Sequence, residues 1–326
     1  MANTQGYDYW SFHVQKPPIP TFCQVEGTNF ILTVAFDQIE LKDLDDRKAE
    51  ATIISKSNID YISSIDSCAS TLNVVSTTGN QVILTDISVG EEIMRYERKL
   101  KTGKLRDCKF LSKDLVATCG DMILHLADIR ESPHSSNVLS SDRQPRQTWL
   151  YPTQGKSSLT SIGYSDPYIT VCSYSGKCHT LDLRNQQFIS STISKDVLMS
   201  VEQFPNDLSV SFDQQGFIRL YDVKKDSFLL EAKGLSQLPR RFINCHYIPE
   251  RSIIINGSEE GLVYAWFLNE EKSRFTAAAR YEVPGREAGS KSKENTVNHV
   301  DYVQGTNRLV ASSGDGKIHV WDNVFK

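Results

Sequence analysis

One unit recurs seven times along this chain: a β-rich run, a turn carrying Gly or small polar residues, a second β-rich run, and usually a closing Asp. The copies read NFILTVAFDQIELKD (29–43), LNVVSTTGNQVILTD (72–86), LVATCGDMILHLAD (115–128), YITVCSYSGKCHTLD (168–182), LSVSFDQQGFIRLYD (208–222), SIIINGSEEGLVYAWF (252–267) and RLVASSGDGKIHVWD (308–322). Their closing positions are 43, 42, 54, 40, 45 and 55 residues apart, so four intervals lie near a common period and two carry insertions. A repeat this short buries no core of its own and is stable only against its neighbours.

Each pair is preceded by another short β-prone run: 20–27, 61–68, 105–111, 159–165, 198–204, 242–248 and 297–303. Most closing positions are followed by a fourth: 49–55, 92–100, 146–152, 187–193, 227–233 and 274–283. Four strands per repeat predict an all-β, seven-bladed β-propeller spanning residues 1–326 as one domain. The last repeat has no room for a fourth strand, because only four residues follow Asp322. The spare run YDYWSFHV (7–14) is expected to supply it, closing the ring and removing open sheet edges. Insertions are expected at 131–146 and 284–296.

The β-turn-β-Asp unit resembles the WD40 family, with Trp321-Asp322 after GDGKIHV as its best match. The other repeats are degenerate, as in Thr85-Asp86, Ala127-Asp128, Leu181-Asp182, Tyr221-Asp222 and Trp266-Phe267, and none keeps the family's Gly-His dipeptide. Within it, the N-terminal aromatic strand, CSYSGKCHTLDLRNQ (172–186), GSEEGLVYAW (257–266) and the stop after IHVWD are similar to the WD repeat-containing protein 73 family. That resemblance implies a cytoplasmic scaffold, also found in the nucleus, linked to microtubule organisation or to assembly of the Integrator RNA-cleavage module. Its implied partners are the cleavage-module subunits and their HEAT-repeat partner. Similar length and degenerate repeats are shared by substrate adaptors of arginine methyltransferases.

Net charge is −4, with no overall pull toward nucleic acid. Seven scattered Cys with no CxxC pair imply reduced thiols, and no apolar run reaches membrane-spanning length, so a cytosolic or nuclear protein is expected. Phosphate-loop, dinucleotide and hydrolase signatures are absent, so neither catalysis nor a cofactor is expected.

Candidate partner contacts are basic. Arg98, Lys99 and Lys101 on one loop and Arg240 and Arg241 on another are expected on the same rim, facing an acidic partner. Arg130 and Arg184, each in an Asp-x-Arg, are expected on the opposite rim and resemble the box by which some propellers dock on the cullin-4 ubiquitin ligase adaptor. The alternative for that pair is structural, with Asp tightening the turn. Cys172, Cys178 and His179 lie close together but flank a hairpin turn without a fourth ligand, so buried thiols are expected in place of zinc. Asp66, Asp107, His246 and His299 fall on inner strands, where alternation alone does not decide which face the centre of the ring.

Overall fold

The computed structural model describes residues 7–14, 21–56, 61–98, 104–130, 145–153, 157–205, 207–233, 243–269, 274–284 and 296–325. Seven four-stranded antiparallel sheets form the blades, each ordered from inner to outer strand. Blade 1 holds β2 (Phe22–Gln24), β3 (Phe30–Ala35), β4 (Gln38–Asp43) and β5 (Thr52–Lys56); blade 2 holds β6 (Ile62–Cys68), β7 (Asn73–Thr78), β8 (Gln81–Asp86) and β9 (Glu91–Glu97). Blade 3 follows with β10 (Leu105–Ser112), β11 (Leu115–Gly120), β12 (Ile123–Asp128) and β13 (Gln147–Pro152), and blade 4 with β14 (Leu159–Ser165), β15 (Tyr168–Ser173), β16 (Lys177–Asp182) and β17 (Gln187–Thr192). Blade 5 holds β18 (Leu198–Phe204), β19 (Leu208–Asp213), β20 (Phe217–Asp222) and β21 (Ser227–Lys233); blade 6 holds β22 (Cys245–Ile248), β23 (Ile253–Asn256), β24 (Leu262–Asn269) and β25 (Arg274–Glu282). Blade 7 is β26 (Val297–Val303), β27 (Arg308–Ser313) and β28 (Lys317–Asp322), completed by β1 (Asp8–His13) from the N-terminus.

The expected closure is therefore present. β1 runs antiparallel to β28 with Tyr9 opposite Trp321, and the Tyr9 hydroxyl bonds His319 Nδ1 at 2.9 Å. A polar clasp surrounds the same seam: Asp322 accepts from Trp10 Nε1 at 3.1 Å, Arg47 Nη2 at 2.8 Å and Arg308 Nε at 2.6 Å, while Arg47 also pairs with Asp8. Blade 1, blade 7 and the N-terminal strand are thus joined through one carboxylate.

Middle strands are buried on both faces, which is why they read as nearly continuous apolar runs. Along each third strand, alternation sends the second and fourth residues toward the following blade. Leu124 and Leu126 of blade 3 pack with Leu159, Ile162, Ile169 and Leu181 of blade 4; Ile318 and Val320 of blade 7 pack with Phe22 and Ile31 of blade 1. Odd-numbered positions face the preceding blade, as Trp321 does toward Val263 and Tyr281. The core is consequently seven seams, not one centre.

The closing Asp has a local cause. Its carboxylate accepts a backbone N–H two or three residues on, from Asp45, Ser88, Arg130, Arg184 and Lys225 in five blades, and so turns the chain out of the third strand. Gly176 shows the matching constraint at the other end of the hairpin. It sits at φ +75°, and a Cβ there would lie 2.1 Å from the Ser194 carbonyl oxygen. The insertions at 131–146 and 284–296 fall mostly outside the described residues.

Candidate functional site: the central channel

The seven inner strands surround a cavity of about 460 Å³ lined by residues of every blade. Aligned on it, they show a triplet the repeat search passes over: a residue facing the lumen, an apolar one turned away, and a second facing the lumen. The triplets are Ser64-Ile65-Asp66, Asp107-Cys108-Lys109, Ser161-Ile162-Gly163, Ser200-Val201-Glu202, Asn244-Cys245-His246 and His299-Val300-Asp301, with Thr21-Phe22-Cys23 in blade 1, where Phe22 is the buried apolar member. Period-two alternation explains the spacing. Asp66, Asp107, His246 and His299 all prove to line the channel, and Lys109, Glu202, Asn244 and Asp301, which no single-strand reading picks out, join them.

Most of these side chains stitch one blade to the next. The first residue of a triplet accepts the N–H of the second residue in the following blade: Asp107 Oδ2 from Ile162 N at 2.8 Å, Ser161 Oγ from Val201 N at 3.5 Å, Ser200 Oγ from Cys245 N at 3.1 Å, and Asn244 Oδ1 from Val300 N at 2.7 Å. In blades 2 and 5 the third residue is a carboxylate that accepts one step further along: Asp66 Oδ2 from Phe110 N at 2.7 Å and Glu202 Oε2 from Tyr247 N at 2.8 Å. Inner-strand N–H groups have no sheet partner on their lumen side, and these contacts supply one. Each contributes about 0.5–1.5 kcal/mol net, more to a charged acceptor.

Charge inside the lumen is unevenly paired. Lys109 Nζ lies 3.4 Å from Asp66 Oδ1, and attraction to Asp66 raises its pKa against the opposing effect of burial. Glu202 Oε1 lies 2.8 Å from His246 Nδ1, and Asp301 Oδ1 lies 3.6 Å from His246 Nε2. Burial works against a charged His246, but Glu202 and Asp301 together outweigh it and hold the imidazole at about 9. His299, against Phe22 in an edge contact at 4.7 Å, goes the other way: burial lowers it to about 4. Thiols beside the lumen are held as S–H, with burial raising Cys245 to about 12. Among the described residues no group of three or more His, Cys, Asp and Glu side chains is arranged to hold a metal ion.

The His246 pair makes pH a handle. A pKa raised from 6.5 to about 9 on folding gives stability that is complete below pH 6.5 and lost as pH rises through about 9. The side chain keeps 27% of its surface open to the lumen, so the contribution is discounted to about 1–2 kcal/mol. Denaturant unfolding between pH 7 and 10 should show this loss in the native chain and not in His246→Gln. Parallel pH profiles for the two would rule the assignment out.

The basic candidates fare differently. Arg98 is not a solvent-facing rim cation: only 6% of it is exposed, and it lies over the Tyr96 ring at 5.7 Å. Blade-to-blade packing covers it, which the density of neighbouring charges in sequence does not reveal. Lys99, Lys101, Arg240 and Arg241 lie outside the described residues. Arg130 and Arg184 are half or more exposed, yet each folds back on its own Asp: Arg130 Nε reaches Asp128 Oδ1 at 2.9 Å, and Arg184 Nε reaches Asp182 Oδ1 at 3.0 Å. Arg184 also donates to the Tyr168 hydroxyl at 2.8 Å. Cys172 and Cys178 face each other across the blade 4 hairpin and are buried, while the next residue, His179, bonds Ser190 Oγ at 2.6 Å.

No protein-family model matches the chain. Two curated relatives, both named Restriction of telomere capping protein 1 and from Candida albicans strains WO-1 and SC5314, are 28% identical over 201 residues. The match takes in 59% of this chain but 16% of each relative, so the chain corresponds to a small part of those proteins. Among solved structures, a chain of the Crystal Structure of Mitotic Checkpoint Complex superposes with a TM-score of 0.72 over 95% of this chain and 93% of its own, at 10% identity. That likeness carries the fold alone, a seven-bladed β-propeller.

Proposed function

We propose that this propeller is a non-catalytic assembly scaffold that grips protein partners on its rims and outer edges. One observation carries the reading. Phe36 sits in the β3–β4 turn, 46% exposed, with its backbone at φ +58° and its ring 6.4 Å from that of Tyr61. A bulky residue in the left-handed region costs about 1–3 kcal/mol, and a ring left half exposed recovers only part of it by burial. A partner pocket that takes the ring does recover it, in the manner of an aromatic anchor at an interface. Further large apolar side chains stand exposed on outer strands, Leu150, Ile189 and Phe228 among them.

The resemblance to the WD repeat-containing protein 73 family supplies the finer reading: cytoplasmic assembly of the Integrator RNA-cleavage module, with its subunits and a HEAT-repeat protein as partners, or microtubule organisation. It is an analogy at family level and rests on the quoted motifs alone. Affinity purification of the tagged chain from cytosol tests both levels. Cleavage-module subunits recovered near stoichiometry support the finer reading, and a methyltransferase or telomere-capping complex in their place redirects it.

Phe36→Asn tests the scaffold itself. Asn tolerates the left-handed turn, so the variant is expected to be more stable by about 0.5–1 kcal/mol while recovering several-fold less of the copurifying protein. Unchanged recovery sinks the role given to Phe36. A second reading, a substrate receptor of the cullin-4 ligase, is favoured by the exposure of Arg130 and Arg184, 54% and 63%. Under the scaffold reading, Arg130→Ala with Arg184→Ala leaves every recovered partner in place; loss of the cullin adaptor would establish the receptor.

A further inference from the structure

The seam between blades 2 and 3 buries a cation, Arg98, for which the described residues supply no counter-ion. Arg98 follows β9 and turns into the seam, where Nη2 makes one loose contact, 3.5 Å, to Thr118 Oγ1, and Nε has no hydrogen-bond partner. Thr118 is 1% exposed and stands directly opposite His125 in the β11–β12 register. Directly opposed residues of antiparallel strands share a face with Cβ atoms roughly 5 Å apart. His125, 5% exposed, has a hydrogen-bond partner on neither ring nitrogen, and Tyr96, 3% exposed beneath the guanidinium, has none on its hydroxyl.

Four donor-bearing side chains thus share one buried seam, and the loose Arg98–Thr118 contact leaves Arg98 Nε, the Tyr96 hydroxyl and both His125 nitrogens without a partner. Buried polar groups are almost always satisfied, and a buried guanidinium is ordinarily matched by a carboxylate. Among the described residues no Asp or Glu does so here, and burial lowers the Arg98 pKa to about 10, the opposite of what an acidic neighbour would do.

We propose that the blade 2–blade 3 seam is a binding site for a small tetrahedral oxyanion of the phosphate class, gripped by the Arg98 guanidinium with Thr118, Tyr96 and His125 as the remaining donors. The planar fork of Arg suits two oxygens of such a group, and the hydroxyls and imidazole approach from other directions. The oxyanion is either a free ion or the phosphate of a phosphorylated side chain on a partner; both present the same oxygens.

Thermal unfolding in inorganic phosphate, against chloride at equal ionic strength, tests the site. The native chain is expected to gain about 2–3 °C per tenfold increase in phosphate once binding saturates. Arg98→Met, which keeps length and removes charge, is expected to melt in chloride at or above the native temperature and to show no phosphate response. Should Arg98→Met fail to fold, Thr118→Val and His125→Phe must each weaken the phosphate response at least several-fold. O-phosphoserine as a second probe separates the sources: a shift with it as well as with phosphate assigns a phosphorylated side chain, and a shift with phosphate alone assigns a free ion. No shift of the native chain beyond the chloride control, or a shift retained in Arg98→Met, overturns the proposal.

Discussion

Trp321→Ala is expected to cost about 3–5 kcal/mol, enough to leave a chain of ordinary stability largely unfolded at physiological temperature. Trp321 is fully buried and packs against Tyr9 at 5.6 Å and Tyr281 at 6.1 Å, so its ring fills the seam between blades 6 and 7 and backs the N-terminal strand. Removing it leaves a cavity where the N-terminal strand closes the ring. Trp321→Phe should cost only about 1–2 kcal/mol, because the indole Nε1 has no hydrogen-bond partner to forfeit and most of the ring volume is kept. Urea unfolding of both variants checks this. Equal losses would mean that volume at this position does not hold the closure.

The second large effect belongs to Asp107. Its carboxylate accepts from Ser64 Oγ at 2.7 Å, Cys108 N at 2.9 Å and Ile162 N at 2.8 Å, binding blades 2, 3 and 4 through one side chain. Asp107→Ala orphans two backbone N–H groups and a hydroxyl at once, which should cost about 3–4 kcal/mol. Burial nevertheless raises the Asp107 pKa above its ordinary value despite those donors, so the charge itself is a burden in the folded state. Asp107→Asn keeps one acceptor oxygen and sheds the charge, and is expected to lose about 1–2 kcal/mol. Denaturant melts at pH 7 separate the two, and an Asn variant as damaged as the Ala one would show that the second oxygen, not the charge, decides.

Both residues show how far the sequence is legible. Trp321-Asp322 announces its own place: the repeat fixes the third strand, and a Trp one residue before the closing Asp must face the preceding blade. Asp107 does not. It lies in an inner strand, LRDCKFLS, whose apolar and polar residues alternate in a way that suits either face, and a bulge between Leu105 and Asp107 shifts the register where a count would be made. Only alignment of all seven inner strands on the channel exposes the polar triplet. Arg98 shows the opposite failure. A run reading ERKLKTGKLR suggests a solvated basic loop, yet its first Arg is packed over Tyr96 between two blades.

The sequence by itself determined the number of blades, the strands within each, and the use of the N-terminal strand to finish the last. These follow from local rules: a period of two within strands, turn residues between them, and a closing Asp whose carboxylate captures the next backbone N–H. Tertiary structure alone decided which polar residues meet. His246, Glu202 and Asp301 come from blades 6, 5 and 7, and Arg98 and His125 from blades 2 and 3. Their chemistry depends on the angle at which neighbouring sheets cross and on what each seam leaves buried, and no spacing along the chain encodes either.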